Sequence, residues 1–494
     1  MRQRQRRFWK VLLGVLITLV AVASAAYLLL FRPVAQPRTN DLAQVFNHGS
    51  IGNEETQGLP YWIWRVLPQL FPEYLPANKD GYSAFGLFWA RGEPVPVGLS
   101  MSTLGVIPRV APNCAFCHQG SYRLSAYDPP TLVTAGAGGR VNPQAYIRFL
   151  IAAGADPRFT ADAIMPEITA IYDMPLWERA LYRFLLIPAT RAALKEQGRT
   201  FTWMQSRPDW GPGRIDPFNP VKFQNLRLPD DGTIGNSDMM PLWSLGELEA
   251  TNERRFSLHW DGLQTDLRET VLSGAIGDGM TYTSFPRTEE TLDRMSDFIR
   301  LQPPPPSPFS SARPIGDPYR ADPAAIDAGR AIYQAECATC HEPGGARYRT
   351  PISIVEVGTD RHRLDMWTLA ARQRYADYES DYKWGFANFH KTEGYVATGL
   401  RGLWLRGPYL HNGSVPTLKA LLDPPAQRPR QFYRGYDLID PANGGFVSAA
   451  GTDGERYGSL YDTAQPGNGN TGHLWGTDLP ARAKEDLLAY LKTL

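Results

Sequence analysis

The chain has 494 residues, with 51 lysines and arginines against 50 aspartates and glutamates, so its net charge of +1 gives no electrostatic case for nucleic acid as a partner. A hydrophobic fraction of 43% and a charged fraction of 20% exclude wholesale disorder and a polytopic membrane protein, and the length allows two or three domains. With 45 glycines and 42 prolines, much of the chain is expected in loops. The first predicted element is a helix. Arg2, Arg4, Arg6, Arg7 and Lys10 precede residues 11–31, VLLGVLITLVAVASAAYLLLF, which carry no charge. Such a run spans about 30 Å as a helix, the hydrocarbon thickness of a bilayer. Its basic flank keeps the N-terminus cytoplasmic and sends the remainder across, so the expected location is a bacterial inner membrane, single-pass, with the working part in the periplasm. A cleaved signal is the alternative, because Ala23-Ser24-Ala25 has the small-x-small form of a cleavage site. The apolar run continues to Phe31, longer than a signal needs, and favours an anchor over residues 1–35.

Residues 99–113, LSMSTLGVIPRVAPN, read as loop and lead into Cys114-Ala115-Phe116-Cys117-His118. Residues 161–172 and 175–196 are helical in pattern, and 207–223, RPDWGPGRIDPFNPVKF, form a long aromatic loop. A proline-rich linker at 300–322 places a boundary between a first domain, 36–302, and a second, 303–494. The second domain opens with a helix at 322–333, in which Gly329 and Tyr333 share a face. Then come Cys337-Ala338-Thr339-Cys340-His341 and a stretch rich in Gly, Pro and Asn at 423–476. An amphipathic helix at 480–494, with Leu487, Leu488 and Leu491 on one side, closes the chain.

All four cysteines fall in two C-x-x-C-H motifs, the attachment signature of c-type haem. Two thiols add across the vinyl groups of one porphyrin, and the turn between them puts the next imidazole under the iron. Zinc would need ligands gathered from motifs more than 200 residues apart. Disulfides within each motif would leave His118 and His341 unexplained. Two covalent haems c are therefore expected, on Cys114 and Cys117 and on Cys337 and Cys340, with His118 and His341 as iron ligands. The expected fold is mainly α with long ordered loops and few short strands, two cytochrome c-like haem domains behind a transmembrane helix.

Residues 401–418, RGLWLRGPYLHNGSVPTL, resemble the P-Y-[FL]-H-[DN]-G-S segment of bacterial di-haem cytochrome c peroxidases, and His259-Trp260-Asp261-Gly262 resembles their W-D-G segment. Both lie in the same order along the chain as in that family. Residues 46–76, 207–223, 432–446 and 467–477 resemble its rubber-oxygenase branch. The resemblance implies that Trp260 lies between the haems and relays electrons, and that His411 hydrogen-bonds a propionate. It departs at the C-terminal haem, where the family places a methionine soon after the T-L that follows H-[DN]-G. Residues 419–426 contain none, so His473, beside Gly472, is the candidate sixth ligand; the glycine would let the backbone approach the porphyrin closely. The acid/base glutamate of the peroxidases also has no match in step: Thr270 and Met280 fall at the expected positions, with Glu269 and Asp278 nearby. His259 stands where the family implies an aromatic residue, and with Trp260 makes the pair of candidate catalytic residues.

The leading expectation is an oxidoreductase whose N-terminal haem binds peroxide or dioxygen while the C-terminal haem exchanges electrons through Trp260, served by a periplasmic or membrane redox partner. The alternatives are a pure electron carrier with both haems six-coordinate, and a dioxygenase like the rubber oxygenases. A calcium ion between the domains is a further property of the peroxidases; carbonyl ligands leave no side-chain signature.

Overall fold

The computed structural model describes residues 2–34, 36, 38–76, 80–137, 139–243, 245–248, 256–382 and 389–494. Helix α1 (Arg2–Phe31) stands clear of the rest, and the apolar span Arg4–Leu28 has no buried residue. It is long and apolar enough to cross a membrane, as an anchor or a signal sequence. One residue beyond it begins β1 (Pro33–Val34), which joins β2 (Leu59–Pro60), β3 (Leu99–Leu104) and β4 (Ile107–Pro112) in a sheet of order β1-β3-β4-β2.

The expectation of loop at 99–113 is corrected here. β3 and β4 form a hairpin in which Leu104 pairs with Ile107 and Leu99 with Pro112. The chain turns through Gly105 at φ 61°, a conformation glycine reaches without steric cost. Pro108 and Pro112 hid the strand from pattern reading, since proline lacks a ladder donor. β4 accommodates them because its far side meets only the two residues of β2.

Elsewhere helices and loops dominate. The expected helices appear at Ala161–Ile171 and, in three continuous pieces, at Leu176–Leu181, Tyr182–Leu186 (a π turn) and Ile187–Thr200. The remaining strands are short two-stranded ribbons, such as Gln431–Arg434 with Ser459–Asp462 in the Gly/Pro-rich C-terminal stretch. The lead-in helix Pro323–Glu336 crosses the closing helix Ala481–Leu491 at Gly329, where an added Cβ would overlap the Asp486 carbonyl. Tyr333 and Tyr490 pack beside the crossing with ring centres 5.3 Å apart, and Leu487 and Leu491 are buried under it.

An apolar cluster bridges the 300–322 linker, beside a cluster confined to each half. Met366, Trp367, Ala371 and Tyr375, from beyond it, belong to the same apolar cluster as Phe46, Phe218, Leu272 and Phe298. Polar ties reinforce the join. Asp437 accepts from Arg123 at 2.7 Å and Arg140 at 2.9 Å, Arg434 pairs with Asp238 at 2.5 Å, and the Lys222 ammonium donates to the Met366 carbonyl at 2.9 Å.

Candidate haem sites

The first motif is seated on the hairpin. Asn113 follows β4 directly; its Oδ1 accepts from the Ala115 N–H at 3.0 Å, and its Nδ2 donates to the Phe46 and Gly49 carbonyls. This caps the turn Cys114–Cys117 and fixes where the motif starts. Gly98 lies against the backbone of Phe116, where a Cβ would not fit. His118 Nδ1 is 2.8 Å from the Met240 carbonyl. A carbonyl can only accept, so the proton sits on Nδ1 and the Nε2 lone pair is free for a metal. Burial lowers the His118 pKa to about 4, which keeps the ring neutral as a ligand must be. Burial also pushes the Cys114 thiol up to about 12 and Cys117 upward with it.

These residues line a cavity of about 780 Å³, together with His259, Trp260 and Asp278. His259 is held at φ 63°, its ring 5.7 Å from Phe218, with a buried Nε2 that has no partner. Burial depresses it to about 4, and the neighbouring His118 pulls the same way. Thr270 also faces the cavity, whereas Met280 is buried against Thr288 and Glu269 accepts from Gln264 at 2.7 Å. Of the two carboxylates that were out of step in sequence, Asp278 is the one that reaches the cavity. Burial alone raises its pKa to about 7.

At the second motif, His341 Nδ1 lies 2.7 Å from the Thr398 carbonyl, again leaving Nε2 free. Opposite stands His473, with ring centres 6.2 Å apart. Two imidazoles sharing one metal through bonds of about 2 Å, each ring centre about 1 Å further on, would be about 6 Å apart. Gly472 has a different reason from the one expected. At φ 73° an added Cβ would overlap the backbone of residues 357–359, and the His473 N–H donates to the Val357 carbonyl at 2.7 Å. The glycine lets loop approach loop and so fixes His473 at φ 47°; the ring is neutral, its pKa lowered by burial to about 3. Arg428 secures the same loop through the Asn470 and Gly472 carbonyls at 2.7 and 2.9 Å.

Trp260 belongs to both surroundings. It borders the first cavity and packs in the apolar cluster that contains Cys340, Ile352 and Tyr395, while its Nε1 donates to the Asp238 carbonyl at 2.8 Å. His411 is buried, stacked on Tyr395 at 3.8 Å and 15°, with an unpartnered Nε2.

Three arginines, two buried and one half-buried, were missed in the sequence. Arg349 and Arg363 line the first cavity, and Arg406, depressed by burial to about 9, lies near Arg349 and His341. Each has a buried Nε with no partner. Arg363 reaches Asp261 at 3.2 Å, and Arg406 donates to the Gly399 and Arg401 carbonyls; among the described residues no ion pair to Arg349 or Arg406 is present. Buried cations need anions, and haem brings two propionates. The free Nε2 atoms, the cavity and these cations together fit haem. Among the described residues no cluster of three or more His, Cys, Asp or Glu side chains is placed to hold a metal ion.

Comparison with known proteins agrees in kind. Residues 394–434 match the family model described as RoxA-like, cytochrome c-like, and residues 324–375 match that of cytochrome c oxidase, cbb3-type, subunit III. Uncharacterized protein y4iM of Sinorhizobium fredii is 31% identical over 227 residues, 36% of this chain and 51% of that protein. Uncharacterized protein y4iJ of the same organism is 43% identical over 109 residues, 20% of this chain and 18% of that protein. The chain thus spans about half, and about a fifth, of these curated relatives. It contains cytochrome c-like sequence, which implies covalently bound haem c and a redox role.

Proposed function

We propose that the chain is a membrane-anchored, periplasmic di-haem c oxidoreductase of the di-haem peroxidase superfamily. Its first haem site takes peroxide or dioxygen, and its second exchanges electrons with a periplasmic or membrane redox partner. When bound, haem c supplies one-electron exchange and, where an axial position is open, a site for a small oxidant. Cys114 and Cys117 hold one porphyrin and Cys337 and Cys340 the other, with His118 and His341 as ligands oriented by the Met240 and Thr398 carbonyls. His473 is the second ligand at the C-terminal site. Arg349, Arg363, Arg406 and His411 receive propionates. Trp260, which borders the first cavity and packs in the cluster that holds Cys340, is the relay. Asp278 and His259, among the titratable groups that line the first cavity, are the ones assigned to hold a proton there.

The carrying observation is an asymmetry. His341 faces a second imidazole at 6.2 Å, whereas His118 faces the cavity. A second reading, a carrier with both irons six-coordinate, draws on His259, whose free Nε2 lies in the same cavity as His118.

The test combines haem counting with kinetics. Cys117→Ala and Cys340→Ala should each lose one of two haems by pyridine haemochrome; two haems in either variant refute the assignment. Trp260→Phe should keep both haem spectra and slow equilibration between the haems by at least about tenfold, ~1.4 kcal/mol on the barrier. Unchanged equilibration would make Trp260 a packing residue, and a wild-type spectrum with no high-spin ferric band would favour the carrier.

A further inference from the structure

The first cavity extends well past the haem motif, and its outer wall is apolar. Leu104 and Ile107 of the β3–β4 hairpin form one side. Leu185 of the π turn and Ala189 and Ala193 of the helix Ile187–Thr200, spaced by four along one continuous run, form the other, and all three are exposed as well as lining the cavity. They mark its mouth. Immediately outside it the same helical run exposes Leu176 (81%), Trp177 (55%) and Phe184 (75%), with Leu185 at 44%. Leu176 and Phe184, and Trp177 and Leu185, lie about two turns apart along this run, so the four exposed side chains form neighbouring rows. A contiguous patch of large apolar side chains on a water-soluble face is unusual, and a helix presenting Trp, Phe and Leu in this way fits the interfacial zone of a bilayer.

The position of α1 identifies the surface that covers this patch. α1 ends at Phe31, the Arg32 carbonyl accepts from the Gly105 N–H at 2.6 Å, and Pro33 pairs with Leu104. The apolar span is therefore joined, with no slack, to the tip of the hairpin whose Leu104 and Ile107 line the cavity. Val106, at that tip, is exposed too. If α1 lies in a bilayer, the hairpin tip sits at its surface, and the cavity and its mouth lie just above.

We infer that the face formed by Leu176, Trp177 and Phe184 rests on the membrane that holds α1, and that the cavity is reached from the bilayer by an apolar, lipid-dissolved molecule. The occupant of the cavity rests on the haem reading above for its chemistry; the docking rests on the fold and on α1 alone.

The experiment uses the full-length holoprotein in nanodiscs of phosphatidylcholine and phosphatidylglycerol. Two photoreactive probes are compared: a phosphatidylcholine carrying a diazirine on its acyl chain, and a small trifluoromethyl-phenyl-diazirine dissolved in the bilayer. Adducts are mapped by peptide mass spectrometry, and haem content is measured on the same sample. The lipid probe should label residues 171–184 besides 4–28, and the small probe should also label 185–194. Leu176→Ser/Trp177→Ser/Phe184→Ser, three exposed positions, should reduce both sets of adducts outside α1 several-fold and leave those within it unchanged. Adducts confined to α1, or equal labelling in the triple variant, overturn the inference. So does cross-linking of residues 171–184 to a second copy of the chain, which would make the face a protein interface. Full-length protein that incorporates no covalent haem on expression with the haem c maturation machinery, yet is labelled at 171–184, would refute the redox reading and leave the docking standing.

Discussion

His473 stands across from His341 because two backbones meet: Gly472 and its φ of 73° let the 471–473 loop close onto residues 357–359. Replacing the imidazole tests the ligand role while sparing that closure. His473→Gly should convert the signal of one haem from low-spin to high-spin and make it reactive to CO, with the other haem little changed. A low-spin second haem in this variant would pass the role to His411. Asp278 illustrates a residue whose position in sequence misled and whose position in space is informative. Its carboxyl is raised from its ordinary value of 3.8 to about 7 by burial, so the folded protein binds more protons than the unfolded chain between those values. Stability should therefore fall as pH rises from about 4 to 7, by up to ~1.4 kcal/mol per pH unit from this group, and be constant above. Denaturant titrations at stepped pH should show Asp278→Asn flattening that slope. A slope equal to that of the parent would mean the carboxylate is solvated.

Among the elements, the crossing of Pro323–Glu336 with Ala481–Leu491 is where the C-terminal haem motif gains its rigidity. The crossing is close because Gly329 has no side chain: the Asp486 carbonyl and the Tyr490 side chain occupy the volume a Cβ would need. Gly329→Ala must push the helices apart, costing about 2–3 kcal/mol as overpacking does. The measurement is the thermal midpoint of the C-terminal haem's absorbance, which should fall by several degrees; an unchanged midpoint would show that the crossing yields at no cost. That Gly329 and Tyr333 share one helix face was readable in advance, because they lie four apart; the approach of the Asp486 carbonyl to Gly329 was not. Nor was the hairpin beneath the first motif. Its alternation is interrupted by Pro108 and Pro112, and its pairing to β1 and β2 joins segments dozens of residues apart.

For the whole molecule, the two halves of the chain share one apolar cluster through Trp367 and are tied by Arg434–Asp238 and Arg123–Asp437. They should unfold together rather than as two independent domains. The attachment of α1 predicts that the protein sediments with membranes and is released by detergent but not by high salt. A soluble mature protein beginning near Ala26 would show that α1 is a removed signal.

What the sequence by itself determined was covalent and local: two thiol pairs each followed by histidine, a glycine four residues before a tyrosine on a helix, and an uncharged run long enough for a bilayer. Each depends on spacings of a few residues, which the chain carries wherever it folds. The tertiary structure alone decided how two loops close to set His473 opposite His341, that Asp278 rather than Glu269 lines the first cavity, and that Arg349 and Arg363 line it too. Those outcomes join residues scores to hundreds of positions apart through loops without periodicity. Their geometry comes from packing and carbonyl contacts that no local pattern encodes.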